Sequence, residues 1–137
     1  MSFKWSAYLE LAFALDEQAK KETNVQKQEA LRRCAISRAY YAVWCIARNL
    51  LKLEPNVDVA RLREHGYVIT YYQGSNDAAR RQIGIDLQRM RGNRTKADYD
   101  DEVHRLDKVA DEQIRLAQDT LMGLRQLYQK AGGSDSV

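Results

Sequence analysis

Apolar residues recur along most of this chain at spacings of three and four. Trp5, Tyr8, Leu9, Ala12, Leu15 and Ala19 share one helical face and predict a helix over about residues 5–22. Asn24 is placed to cap a second, longer helix from about Val25 to Leu53, with Pro55 just beyond its end. Within it the segment AISRAYYAVWCIA, Ala35 to Ala47, is apolar on every side except at Ser37 and Arg38. A helix that is hydrophobic all round must be buried all round. One small chain is expected to cover only part of that circumference, so the pattern predicts that a second copy covers the rest, as a homodimer.

Asp58 is the expected cap of a third helix over about Val59–Tyr72. The QGSN turn follows, with Ser75 or Asn76 capping a fourth helix that is expected to end near Arg91. Gly92 suits the left-handed position after that end, which leaves Gly92 to Arg105 as a loop. Asp107 is the expected cap of a fifth helix, with Ala110, Ile114, Ala117, Leu121, Leu124 and Tyr128 on one stripe. No strand-period alternation interrupts the series. The expected fold is all-α, an antiparallel bundle of four to five helices in a single domain over residues 1–131, with a flexible tail at 132–137.

Composition narrows the function classes. A chain of 137 residues can bury a core without disulfides or metal. One proline and seven glycines suit long helices. Cys34 and Cys45 have neither zinc-knuckle nor redox-pair spacing and are expected to be small buried apolar residues. No secretory signal layout or membrane-length apolar run is present, so the expectation is a cytoplasmic protein without membrane contact. Net charge is only +3, but the charge is uneven. Arg80, Arg81, Arg89, Arg91, Arg94 and Lys96 face a single acid, Asp86, before Asp98, Asp100, Asp101 and Glu102 follow.

The titratable residues offer few catalytic constellations. His65 and His104 lack further zinc ligands at suitable spacing, and no phosphate loop, nucleophile elbow or dinucleotide fingerprint occurs, so no metal or cofactor is expected. Arg38 lies in the most apolar segment and needs a partner there. Either it pairs with an acid such as Asp98, or it lines a cleft and meets a phosphate. Tyr40, Tyr41 and Trp44 read first as packing residues, and His104 as a surface residue. Arg91, Arg94, Asp98 and Tyr99 lie in the expected loop. They suit either phosphate binding or an ordinary ion pair between Arg94 and Asp98.

Two segments together resemble a known family. SRAYYAVWCIARNLL, Ser37 to Leu51, resembles the signature helix of HEPN-domain proteins. RTKADYD, Arg94 to Asp100, resembles the R-x-x-ADYD element of that family's small stand-alone branch, and His65 stands where that branch often has a histidine. The resemblance extends over about Gln26 to Tyr128. It implies a dimeric helical bundle of a prokaryotic toxin–antitoxin or defence system, acting on or binding RNA or a nucleotide, with a nucleotidyltransferase antitoxin as a further partner. It also implies a site where helix two meets the segment after helix four. Arg38, Arg91 and Arg94 would bind phosphate there, with Asp98 and Tyr41 orienting them.

Many members are metal-independent ribonucleases that carry an arginine followed four to six residues later by a histidine. Here no histidine falls in that window after Arg91 or Arg94, and Tyr99 stands in it instead. Tyrosine ionises near ~10, far from the neutral range that suits a general base. The resemblance therefore leaves open a binding module, a ribonuclease using Arg94 with Tyr99 or His65, and a purely structural dimer.

Overall fold

The computed structural model describes residues 2–132. The expected tail at 132–137 lies outside them apart from Gly132. The described residues form five α-helices: α1 (Ser6–Lys21), α2 (Val25–Leu51), α3 (His65–Gln73), α4 (Ala78–Tyr99) and α5 (Leu106–Lys130). A single 3-10 turn spans Val59–Arg61, and no strand occurs among the described residues. The helices form an all-α bundle, and none of those described is long and apolar enough to cross a membrane.

Helix α2 is the hub and packs against α1, α3, α4 and α5. Asn24 caps it as expected, its side chain accepting the Lys27 N–H at 3.0 Å. Ala35, Ile36, Ala39, Tyr40, Ala42, Val43 and Ala47 are fully buried, and Ser37, Trp44, Cys45 and Ile46 nearly so. This corrects the expectation that one chain could not cover the segment. Four neighbouring helices cover it, helped by the alanines, whose small side chains let α1, α4 and α5 lie close.

The third predicted helix is divided. Asp58 caps the 3-10 turn, accepting from Ala60 N at 3.1 Å, and α3 starts only at His65. The fourth helix starts after Asp77, whose N–H bonds to the Ser75 hydroxyl; neither Ser75 nor Asn76 is its cap residue. The fifth starts at Leu106 after Arg105, which adopts the left-handed conformation (φ 53°), so Asp107 lies in the first turn rather than at the cap. Cys45 is buried, but Cys34 is exposed and is not the core residue expected.

The largest correction concerns α4. It does not stop at Arg91 but continues through Gly92 to Tyr99, so most of the expected loop is helix and Gly92 is not a C-cap. Ile83, Leu87, Met90 and Ala97 are buried along one side of it, a helical stripe that crosses the glycine. The far end is clamped by Arg33. Its guanidinium donates to the carbonyls of Ala97 (3.0 Å), Asp100 (2.6 Å) and Asp101 (3.1 Å), satisfying acceptors a helix C-terminus leaves open. Buried Gln113 of α5 fixes the middle. Its amide donates to Ile36 O of α2 and Met90 O of α4 and accepts from Asn93. Helices α2, α4 and α5 are thus pinned together beside Arg91 and Arg94.

Candidate anion site between α2, α3 and α4

The stripe that buries Met90 and Ala97 puts Arg94 between them, on the core-facing side of α4. Its side chain is only 11% exposed. It makes a 3.7 Å ion pair with Asp98 one turn on, and its Nε is buried without a hydrogen-bond partner. Its guanidinium carbon lies 5.5 Å from the Tyr40 ring centre and 5.4 Å from that of Tyr41. A guanidinium so enclosed, with one loosely held carboxylate, retains donors for another acceptor.

Arg38 reaches the same place from α2. It lies 5.0 Å from the ring centres of both Tyr8 and Tyr41 and donates to the Ser37 hydroxyl at 3.4 Å. Ser37 in turn donates to Asp98 at 3.3 Å. Of the two sequence alternatives for Arg38, the direct pair with Asp98 does not form. Asp98 does tie α4 to α2, but through Ser37, and the ion pair it makes is with Arg94.

His65 opens α3 and completes the cluster. Its ring stacks on Trp44 at 4.1 Å and 10°, and its Nδ1 is 2.6 Å from the Tyr40 hydroxyl. Burial, then the positive charges of Arg94, Arg91 and Arg48, push the His65 pKa down to about 4. The imidazole is therefore neutral at neutral pH. Burial also pushes the Tyr40 phenol upward, so it remains protonated. Arg91 comes in beside the start of α3: a methyl group on Gly66 would sit 3.6 Å from its Nη1. The first turn of α3 adds N–H groups without intrahelical partners, and its N-cap, Glu64, makes no side-chain cap bond.

Arg38, Tyr41, His65, Arg91, Arg94 and Asp98 are thus brought together. Tyr99 is not among them. Five residues beyond Arg94 it points roughly 140° round the helix and is 74% exposed. His104 is exposed, as expected. Three contributors are new. Tyr40, first read as packing, also binds His65; Trp44 carries the histidine stack; and Arg48 lies 5.5 Å over the Trp44 ring. Tyr40, Trp44 and Arg48 follow one another at intervals of four on α2, which was the available signal. Among the described residues no group of three or more His, Cys, Asp or Glu is arranged to hold a metal ion.

No family model, no curated protein and no solved structure matches this chain.

Proposed function

We propose that the protein binds phosphate groups of RNA or of a nucleotide at the arginine cluster where α2, the start of α3 and α4 meet. The supporting observation is the convergence of Arg91 and Arg94 on neutral His65, with Arg38 joined to them through the Tyr41 ring and Asp98 as the carboxylate paired with Arg94. Guanidinium groups held on rigid helices are preorganised for a phosphate oxyanion. The SRAYYA and RTKADYD segments supply the pair Ser37–Asp98 and the residues Arg38 and Arg94, which favours a HEPN-like module of a toxin–antitoxin or defence system. On this reading the protein works in the cytoplasm as a homodimer beside a nucleotidyltransferase partner. Sedimentation at micromolar concentration tests the dimer, and a purely monomeric profile removes it.

Fluorescence anisotropy with labelled single-stranded RNA in low salt tests the binding reading. Arg94→Ala should weaken binding at least ten-fold, in line with loss of a charge-assisted phosphate contact of about 1.5–3 kcal/mol. Equal affinities for wild type and variant would remove Arg94 from the site.

One observation favours a second reading, a metal-independent endoribonuclease. In the tautomer whose Nδ1–H donates to the Tyr40 oxygen, His65 Nε2 is a free base beside phosphate-binding arginines. Arg94 would hold the scissile phosphate, whose charge raises the His65 pKa toward neutrality. His65 takes the 2′-hydroxyl proton and the 2′-oxygen attacks phosphorus. The P–O5′ bond breaks, with the imidazolium returning the proton to the leaving 5′-oxygen. Tyr99 stands outside this arrangement. RNA cleavage that persists in chelator and disappears in both Arg94→Ala and His65→Phe would support it; intact RNA after prolonged incubation with wild type would exclude it.

A further inference from the structure

The anion site does not end at Arg38. Tyr8 of α1 also lies against that guanidinium, 5.0 Å from it, and Phe3 packs on Tyr8 at 5.1 Å. Trp5 joins them, 4.9 Å edge-on from Phe3 and 5.7 Å from Tyr8. From Arg94 the side chains run Arg94, Tyr41, Arg38, Tyr8, Phe3, each 5.0 to 5.4 Å from the next. Guanidinium and aromatic ring alternate along most of the row. It begins on the core-facing side of α4, crosses α2 and ends outside, where Phe3 is 52% exposed. Tyr41, Arg38 and Tyr8 are each half-buried and so reachable from solvent.

A core function accounts for part of this row and not for its end. Trp5 and Tyr8 pack against buried residues of the core. Phe3 precedes α1, and half of its surface lies in water. A mononucleotide or free phosphate held between Arg91 and Arg94 would make no use of Tyr8 or Phe3. A polymer with a charge and an aromatic base in every unit would use the whole row, because guanidinium groups meet the phosphates and ring faces meet the bases.

Resting on the phosphate-binding reading above, we infer that the ligand is a single strand of nucleic acid several nucleotides long. Its backbone is held by Arg94 and Arg38, and a base stacks on Phe3 beside Tyr8. Stacking on an exposed ring is tolerant of sequence, so the row selects for strand and length rather than for a particular base. A duplex is disfavoured, since its bases are already stacked on one another and cannot reach Phe3.

The test measures binding of inorganic phosphate, uridine monophosphate and a six-nucleotide oligouridylate to the full chain, with wild type, Phe3→Ala and Arg94→Ala compared at one low salt concentration. The hexamer should bind wild type more tightly than the monophosphate does. Phe3→Ala should lose roughly five- to a hundred-fold in hexamer affinity and leave the two small ligands unchanged. Phe3→Leu, which keeps the apolar contact without an aromatic face, should behave like the alanine variant; rescue by leucine would make Phe3 merely structural and overturn the inference. It is also overturned if Arg94→Ala weakens the hexamer while Phe3→Ala does not, a result that leaves the phosphate site standing. Failure of all three ligands to bind wild type overturns both readings.

Discussion

Arg94 occupies a position that the period of α4 gives to an apolar side chain, between Met90 and Ala97. That was legible in principle, since the stripe Ile83, Leu87, Met90, Ala97 can be continued across Gly92 by counting. His65 was not legible in the same way. Its neighbours, Tyr40, Trp44 and Arg91, come from two other helices, and only packing brings them to it. The same packing sets its pH behaviour. An exposed histidine titrates near ~6.5, whereas His65 is pushed down to about 4. Between these values the unfolded chain binds more protons than the folded one. The contribution of His65 to stability is therefore complete above about pH 6.5 and declines as pH falls toward 4. His65→Phe keeps a ring against Trp44 and removes the titration. Denaturant unfolding at pH 7 and pH 4.5 should show a smaller acid loss in the variant than in wild type, and equal losses would assign the sensitivity to other groups. A bound phosphodiester works in the opposite direction. Its negative charge offsets the arginines and favours imidazolium, so strand affinity should rise as pH falls from 7 toward 5.

At the scale of elements, the cap and period signals fared differently. The start of α2 could be read because one local hydrogen bond to Asn24 determines it, and the ends of α1 and α2 to within a residue or two from the apolar spacing. The end of α4 could not, because glycine marks a helix end only where the backbone turns left-handed, and Gly92 stays within the helix. What holds the helix beyond it is remote in sequence: Arg33 on the terminal carbonyls and Gln113 on Met90. Two glycines of α4 should therefore respond oppositely to the same change. A Cβ on Gly92 meets nothing within 4 Å, so Gly92→Ala should stabilise by about 0.5–1 kcal/mol through helix propensity. A Cβ on Gly84 would lie 2.6 Å from the Gln73 backbone nitrogen and 3.0 Å from its Cα, where α3 approaches most closely. Gly84→Ala should cost about 1–3 kcal/mol. Thermal or urea unfolding reads both, and a destabilised Gly92→Ala protein would return Gly92 to the role of a helix stop.

The whole molecule carries a net charge of only +3, too little for a general attraction to nucleic acid. Binding must therefore come from the local cluster, and its salt dependence counts that cluster. The all-α class was legible because helical spacing runs through nearly every segment, but the assembly of the cluster was not, since it needs α2, α3 and α4 in register. Each phosphate neutralised on a single strand contributes a slope of about −0.7 in log affinity against log salt. If Arg38, Arg91 and Arg94 each meet one phosphate, the slope for a short single-stranded RNA should be about −2. Arg94→Ala should make it shallower by about 0.7, whereas Phe3→Ala should lower affinity at every salt concentration and leave the slope unchanged. A stacking contact releases no counterions, so the two variants separate charge from base recognition in one titration series. A wild-type slope indistinguishable from zero would mean that the arginines serve the fold alone, through Asp98, Ser37 and the tyrosine faces.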